Sequence, residues 1–252
     1  MKTIGEIAKE WEQCPMEEWA QLFREYQKDE RAGVKRLLAK YEKKLDALYR
    51  EKERIQKMMY FENQYPQYQW ICGIDEAGRG PLAGPVVAAA VILPKGLEIL
   101  YVNDSKQLSE TRREELYEEI MEKAVSVGVG IVGPEQIDAI NILQATYEAM
   151  RCAIKKLDPQ PQLLLNDAVT IPGVPYHQVP IIKGDAKSIS IAAASIIAKV
   201  TRDRMMREYD TIFPEYGFAK HKGYGSAAHM EAIRTYGMCP IHRRSFLKGM
   251  KG

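Results

Sequence analysis

The chain has 252 residues, with 36 Lys and Arg against 34 Asp and Glu, a formal net charge of +2. This length suits one large domain, or a standard domain with an appendage, and excludes a small disulfide-stapled scaffold. The charge is uneven: residues 35–57 carry +5 and residues 199–252 carry +6, whereas residues 71–198 carry −5. Basic flanks around an acidic centre suit an enzyme that holds a polyanion and keeps carboxylates for metal, although solvated helix faces explain the N-terminal stretch equally well.

Cysteine spacing and hydropathy narrow the class further. No C-x-x-C pair occurs, so neither a zinc site nor a disulfide framework is indicated, and a reducing cytoplasm is the simplest location. The first eleven residues lack the apolar run of a secretory signal, and the longest apolar stretch, Pro85 to Pro94, is about half of a membrane span. We therefore expect a cytoplasmic protein without a membrane partner, and a monomer because nothing requires an oligomer. The cysteines are Cys14, Cys72, Cys152 and Cys239.

The N-terminal quarter predicts helices. From Gly5 to Tyr60 the chain is rich in Glu, Lys, Arg, Leu and Met and nearly free of Gly and Pro after Pro15, which indicates two or three helices with a break at Gly33. Leu37 to Leu48 lie in an apolar stripe at helical spacing, and such a stripe must dock on another surface. Tyr65-Pro66 ends the helical pattern, so the predicted domains are a helical extension, residues 1–65, and a second domain, residues 66–252.

The second domain alternates strand and helix signals. Ser109 has a side chain suited to cap a helix that runs to about Ala124. Two further helices are predicted, from Ile142 to Leu157 and from Ser188 to about Tyr209. Strands before alternating helices and strands indicate an α/β fold, a mixed sheet flanked by helices on both faces. The predicted strands are Tyr68 to Asp75, Pro85 to Leu93, Val125 to Val132, Gln162 to Asn166 and Gln178 to Ile182, and short spacing makes the first two a hairpin.

Two adjacent carboxylates, Asp75 and Glu76, end the first of these strands and precede the turn Gly78-Arg79-Gly80. Consecutive strand residues point to opposite faces, so the two acids share one site only if the strand ends or bulges between them. Metal-assisted phosphoryl chemistry requires several hard oxygen ligands from separate elements. The stretch therefore indicates a metal-bound phosphate site, completed by acids at other strand ends.

Two further acids fit that requirement. Asp167 follows the apolar strand Leu163 to Leu165, and Asp185 lies between Lys183 and Lys187 just before a long helix. A helix N-terminus favours negative charge, and the flanking lysines could meet phosphate. Each acid has an ordinary alternative, Asp167 as a turn former and Asp185 as a helix cap.

Five sequence blocks in a fixed order resemble ribonuclease HII, the bacterial type 2 ribonuclease H. They cover about residues 70 to 246, and their order is far more specific than a lone Asp-Glu pair. The blocks are Gly73 to Val87, Asn103 to Leu108, Lys183 to Asp185 with Ile191 to Asp203, His221 to Gly225, and His242 to Phe246.

The resemblance implies a ribonuclease H-like fold, with an N-terminal helical extension and a C-terminal helical region. It also implies hydrolysis of RNA paired with DNA and cleavage 5′ of single ribonucleotides embedded in duplex DNA, with 5′-phosphate and 3′-hydroxyl products. By motif, the family's four metal-site acids correspond to Asp75, Glu76, Asp167 and Asp185. The expected cofactor is Mg²⁺ or Mn²⁺ in a two-metal scheme, so no side-chain nucleophile is required.

Substrate contacts also follow from the resemblance. Gly78, Arg79 and Gly80 match the turn that reads the 2′-hydroxyl, the group that separates RNA from DNA. Tyr224 matches the tyrosine that stacks on the sugar at the RNA-to-DNA junction, whereas without the family it would be a packed loop aromatic. His242 is expected to be structural. The candidate phosphate contacts, each of which could equally be a surface charge, are Lys106, Lys183, Lys187, Arg243 and Arg244.

Two departures and two rival classes accompany this interpretation. Asn166 stands where the family usually has an apolar residue, although strand alternation still places Asp167 on the face of Leu163 and Leu165. The helical extension lies outside the shared core, and we expect it to pack on the catalytic domain and present basic residues to duplex nucleic acid. The related ribonuclease HIII lacks the glycine-arginine-glycine turn and has a sheet-forming N-terminal domain. A non-catalytic binding module of the same fold would not need four acids.

Overall fold

The computed structural model describes residues 1–248, so the last four residues of the predicted second domain lie outside the described residues. By contacts the chain divides into two compact units, Met1–Arg54 and a second unit that begins at Ile55. The division predicted at residue 65 from the Tyr65-Pro66 signal stays a prediction.

The N-terminal unit is helical and has its own aromatic core. Its helices are α1 (Ile4–Gln13), α2 (Trp19–Tyr26) and the first part of α3 (Ala32–Met58). Trp11 is almost fully buried and stacks on Tyr41 with ring centroids 4.4 Å apart. Leu37 and Leu38, in the stripe predicted to dock elsewhere, pack against this same core.

The helix break predicted at Gly33 is wrong. Gly33 is the second residue of α3, and the chain turns in the segment 27–31 before it. There the Asp29 carboxylate accepts from the backbone N–H of Arg31 at 3.0 Å and pairs with its guanidinium. A side-chain hydrogen bond of this kind offers the backbone an alternative to helical hydrogen bonding, and here it forms in the turn between α2 and α3.

The second unit is built on a mixed sheet, as predicted. After the short helix α4 (Tyr60–Asn63), the described residues form a five-stranded sheet in the order β3-β2-β1-β4-β5. The β1–β2 pair is antiparallel, which confirms the predicted hairpin, and β4 runs parallel to both β1 and β5. The strands are β1 (Ile71–Ala77), β2 (Val86–Ile92), β3 (Ser126–Val132), β4 (Leu163–Asp167) and β5 (His177–Ile181).

Helices cover both faces of the sheet, which confirms the predicted architecture. Helices α5 (Glu110–Lys123) and α7 (Ile189–Ile212) pack with Ala89 and Val91 on one face. Helix α6 (Pro134–Lys155) packs with Ile74 and Ala88 on the other. The central strands are buried on both sides, which explains their almost continuous apolar sequence.

Helix α7 lies unusually close to β1 because Gly73 has no side chain. A Cβ there would overlap the backbone of Ser190 and Ile191. The start of α7 is capped by Ser188, whose hydroxyl accepts from the N–H of Ile191 at 3.2 Å. The Glu62 carboxylate accepts from the Ser188 and Ser190 hydroxyls at 2.6 and 2.7 Å. These contacts set the height of α7 over the strand that carries Asp75.

The remaining helices extend or confirm the predictions. Ser109 caps α5 as expected, because its hydroxyl accepts from the N–H of Arg112 at 3.2 Å. Helix α6 is longer than predicted and kinks at Asn141, whose φ is 67° and whose amide oxygen caps a second segment from Ile142. The predicted start at Ile142 is therefore the first residue of the helical segment that follows the kink. The C-terminal helical region consists of α8 (Phe218–His221) and α9 (Ala227–Tyr236). In residues 1–248 no helix combines the length and the apolar character that a membrane crossing needs.

Candidate active site

Asp75 and Glu76 lie near the carboxyl end of β1, at the centre of the sheet. The interruption of the strand expected between them is absent, because β1 pairs regularly with β2 through Ala77. The two side chains point to opposite faces of the sheet. Both still line one cavity, because they lie where the sheet ends. The backbone N–H of Glu76 donates to Oδ1 of Asp75 at 2.7 Å, which draws the first carboxylate toward this edge.

The other two predicted acids lie at the same edge. Strand β4 pairs with β1 in parallel up to Ile74 and Asn166, so Asp167 follows one residue beyond, beside Asp75. Oδ1 of Asp167 accepts from the N–H of Gly184 at 2.7 Å, which ties this strand end to the 3₁₀ turn that carries Asp185. Parallel strands and one hydrogen bond thus bring together acids separated by about a hundred residues.

Burial and the charges of neighbouring carboxylates raise the pKa values of Asp75, Glu76 and Asp185. Burial raises the pKa of Asp75 well above its usual range, and the Glu76 and Asp167 carboxylates add to the shift. Burial also raises the pKa of Glu76, although Arg79 opposes it. For Asp185 the causes are burial and then the charges of Asp104 and Asp167. Carboxylates crowded in this way gain stability from any cation that enters between them.

Among the predicted metal-site acids, one buried carboxylate oxygen has no hydrogen-bond partner within residues 1–248. Oε1 of Glu76 accepts from Arg79 at 3.2 Å, while its buried Oε2 has no hydrogen-bond partner in the described part of the chain. No three His, Cys, Asp or Glu side chains within residues 1–248 stand close enough to enclose a metal ion by themselves. The acids therefore form an open set of hard oxygen ligands with one unsatisfied lone-pair donor.

A lysine from another loop lies among the acids. Burial alone would lower the pKa of Lys106, but the charges of Asp104, Asp75, Asp185 and Asp167 outweigh it and raise the pKa. The loop is anchored by Ser105, whose Oγ lies 2.9 Å from Oγ of Ser195, and by Arg113, which donates to the Ser105 carbonyl at 2.9 Å. Asp104 was not predicted as a site residue, although it stands in a recognised sequence block.

The Gly78-Arg79-Gly80 turn forms the wall next to the acids. Gly78 has a φ of +93°, and a Cβ there would overlap the Arg202 side chain and lie 2.7 Å from the Pro85 carbonyl oxygen. Gly80 is open by comparison: the nearest atom to an added Cβ is Cε1 of Tyr224, at 3.8 Å. The structure therefore places the tyrosine ring beside the turn, as the predicted substrate contacts require.

Three clustered histidines support the loop that presents Tyr224. The ring of Tyr224 is 47% exposed, and its carbonyl accepts from Nδ1 of His229 at 2.9 Å. Nε2 of His229 lies 3.0 Å from Nε2 of His242, and the His221 ring stacks on His229. Because His242 is 3% exposed and fully engaged, it has the structural role that the sequence suggested.

These elements enclose an open cavity of about 480 Å³. It brings together much of the predicted site: Asp75, Glu76, Gly78, Arg79, Gly80, Lys106 and Tyr224. Lys183, Lys187 and Arg244 are exposed. These three residues, and also Asp167 and Asp185, are not among the described residues that line the cavity.

The structure corrects the prediction that Arg243 contacts a phosphate. Its side chain is fully buried, and its guanidinium donates to the carbonyls of Gly78, Arg79 and Gly84 at 2.6, 2.9 and 2.9 Å. A guanidinium engaged in this way cannot reach a phosphate. Arg243 and Arg244 are adjacent in sequence, and only the fold separates the buried one from the exposed one.

Sequence reasoning missed the polar face of α7. Ser195, Lys199 and Arg202 line the cavity from α7, whose first part is mostly small and apolar. Their steps of four and three residues put them on one face of the helix. Polar residues at helical spacing inside a buried helix are the signal that would have found them.

A mixed sheet with a buried acidic edge, a glycine turn and a basic loop defines the class of a metal-dependent endoribonuclease with the ribonuclease H fold. The sequence model of ribonuclease HII matches residues 72–248, and that of the ribonuclease HII N-terminal domain matches residues 3–66. The chain belongs to the ribonuclease HII family.

Individual relatives agree over nearly the whole chain. The ribonuclease HII of Lachnoclostridium phytofermentans is 63% identical over 247 residues, which cover 98% of this chain and 97% of that protein. The ribonuclease HII of Clostridioides difficile is 53% identical over 251 residues, covering 99% and 98%. The crystal structure of the ribonuclease H2 from Pyrococcus horikoshii OT3 superposes with a TM-score of 0.58 at 31% identity, over 70% of this chain and 93% of that one.

Proposed function

We propose that this protein hydrolyses the RNA strand of RNA–DNA hybrids and cuts on the 5′ side of single ribonucleotides embedded in duplex DNA, leaving 5′-phosphate and 3′-hydroxyl ends. The observation that supports this most directly is the cavity that places the carboxylates Asp75 and Glu76 beside the turn at Gly78 and the ring of Tyr224. Hydrolytic groups and ribose-reading groups thereby meet at one phosphate. We also propose that the protein acts as a monomer in the cytoplasm.

Asp75, Glu76, Asp167 and Asp185 hold the divalent ions, Mg²⁺ or Mn²⁺. The unpartnered Oε2 of Glu76 supports this assignment, because a buried lone oxygen is otherwise costly. The open ligand set also fits, since Mg²⁺ is usually held by one or two carboxylates together with water and substrate phosphate. When bound, the ions supply an activated water and charge stabilisation for the departing 3′ oxygen.

The protein's other groups orient the substrate. Lys106, set among the acids by Ser105 and Arg113, balances the charge of the phosphate that approaches them. The backbone at Gly78, Arg79 and Gly80 reads the 2′-hydroxyl, and the exposed ring of Tyr224 stacks on the neighbouring sugar. Exposed cations outside the cavity, Lys183, Lys187 and Arg244, contact flanking phosphates.

The test is incubation with a DNA duplex that contains one ribonucleotide, in Mg²⁺ and then in Mn²⁺. We expect a single cut on the 5′ side of the ribonucleotide, reduced at least about 100-fold in Asp75→Asn because a metal ligand is removed, with duplex binding largely kept. Tight binding without cleavage of any hybrid would instead identify a non-catalytic binding module.

A further inference from the structure

Two arginines are completely buried behind the glycine turn. Arg202 on α7 is 1% exposed, and Arg243 near the C-terminus is 0% exposed. Neither has a carboxylate within ion-pair distance among residues 1–248, and burial lowers the pKa of both, that of Arg243 to about 9. Their guanidinium groups donate to backbone carbonyls, so the main chain holds both cations.

Arg243 holds the turn through hydrogen bonds to backbone carbonyls. Its Nη2 and Nη1 donate to the carbonyls of Gly78 and Arg79, and its Nε donates to the carbonyl of Gly84. The planar guanidinium therefore links Gly78 and Arg79 in the turn to Gly84, just before β2. Five donors in a fixed plane impose one geometry on the carbonyls that accept from them.

Arg202 connects the turn to the tyrosine loop. Its Nε and Nη2 donate to the carbonyls of Pro85 and Ala83 at 2.9 and 3.0 Å, and its Nη1 donates to the carbonyl of Lys222 at 2.9 Å. The N–H of Leu82 also donates to the carbonyl of Gly223 at 2.8 Å. One side chain thus holds the two segments that carry Gly78 and Tyr224.

Stability alone does not explain this arrangement. A buried cation loses its hydration, and replacement of buried charges by apolar side chains is often neutral or stabilising. The hydrogen bonds to carbonyls recover part of that loss and fix the geometry of the backbone that accepts them. Within the described residues the positive charge is not neutralised by a carboxylate, so it still attracts an anion in the cavity.

We propose that Arg243 and Arg202 are positioning residues that hold the backbone of the ribose-reading turn in register with Tyr224. The proposal rests on the function proposed above. The two arginines act through the turn, so their role is to set discrimination between ribonucleotide and deoxyribonucleotide and not to perform hydrolysis.

The decisive variant is Arg243→Lys, which keeps the charge and removes the planar fork. Binding is measured in EDTA, where the duplex stays intact, to two DNA duplexes of one sequence, with and without a single ribonucleotide. Discrimination is the Kd for the all-DNA duplex divided by the Kd for the duplex with the ribonucleotide. We expect this ratio to fall roughly fivefold to tenfold, which corresponds to the free energy of one displaced hydrogen bond. The Kd for the all-DNA duplex should change less than about twofold. The ratio does not depend on the folded fraction of the sample.

Arg151→Lys is the matched control, because Arg151 also donates to a backbone carbonyl, that of Pro172 at 3.2 Å, but lies on α6. Its ratio should equal that of the wild type. If the wild type discriminates between the two duplexes and Arg243→Lys discriminates equally well, the positioning role is wrong and the proposed function stands. A wild type that neither discriminates nor cleaves would overturn the proposed function and this inference together. If Arg243→Lys does not fold, Arg202→Lys carries the same expectation and the same refutation.

Discussion

Asp75 is a buried carboxylate whose charged neighbours are mainly other carboxylates, so it costs stability when no cation is bound. We expect Asp75→Asn to raise the melting temperature in metal-free buffer by about 2–4 °C, which corresponds to about 1 kcal/mol in a protein of this size. Differential scanning calorimetry with EDTA measures this. Added Mg²⁺ or Mn²⁺ should stabilise the wild type and leave the variant unchanged.

Asp203 provides the contrast for that prediction. It is equally buried but pairs with Lys199 at 2.7 Å. Asp203→Asn should therefore lower the melting temperature, because it leaves the partly buried ammonium of Lys199 without this partner. If both aspartate variants shifted the melting temperature in the same direction, the electrostatic explanation for Asp75 would be wrong.

His242 makes stability depend on pH. Burial and then the charge of His229 lower its pKa from 6.5 to about 4, with a smaller effect from His221. The His242 ring also contacts Cys239, Tyr216 and Phe218. Since the folded state binds the proton less readily than the unfolded state, this contribution is present above pH 6.5 and is lost as the pH falls toward 4. We expect a decrease in unfolding free energy of up to about 3 kcal/mol.

Denaturant unfolding of the wild type and His242→Gln at several pH values between 7 and 4 isolates this effect. The buried acids affect both proteins equally, so the difference in unfolding free energy should shrink on acidification. Parallel pH profiles would contradict the assignment of this decrease to His242.

At the scale of elements, Gly78 and Gly80 have different roles in the turn between β1 and β2. Gly78→Ala must overlap Arg202 at a positive φ, so we expect stability to fall by at least about 2 kcal/mol, together with activity. Gly80→Ala has room in the free protein. Its melting temperature should change by less than about 2 °C, while cleavage at an embedded ribonucleotide falls because substrate must approach the backbone there.

Thermal melts together with ribonucleotide-duplex cleavage distinguish the two variants. A Gly80→Ala protein with full cleavage would show that close approach at this residue is not required. A Gly78→Ala protein as stable as the wild type would show that the turn adapts without Arg202.

At the scale of the molecule, the basic part of α3 is proposed as an additional binding surface for nucleic acid. Lys35, Arg36, Lys40, Lys43 and Lys44 are exposed there. Removal of residues 1–54 should weaken duplex binding and reduce the slope of log K against log salt by about one for each phosphate that these cations neutralise. Unchanged affinity at several salt concentrations would refute this role of the helix.

The site of truncation matters for that experiment. A cut at residue 65 would remove Ile55, Met58 and Met59 from the core of the second unit and Glu62 from the start of α7. A cut after Arg54 keeps all four. The full-length double variant Arg36→Gln with Lys43→Gln is the control, because it neutralises two exposed charges without any truncation.

The order of elements, the mixed sheet and the family could be predicted from the sequence. These follow from local signals: alternation in the strands, the capping hydroxyl of Ser109, and an ordered set of motifs beginning at Asp75. The carboxylates and the glycine turn were also predicted as site residues, because their chemistry is specific to residue type. The helix break was predicted wrongly at Gly33, where the Asp29 side chain provides a competing turn.

The contacts of the individual cations, by contrast, depend on the folded chain. Arg243 meets the carbonyls of Gly78 and Arg79 across 165 and 164 residues, and Arg202 meets Pro85 across 117. Periodicity reports which face of a helix is buried, but not which carbonyls a buried guanidinium will find. The reason is physical: a hydrogen bond forms with whatever acceptor packing brings within reach, and packing is a property of the whole chain.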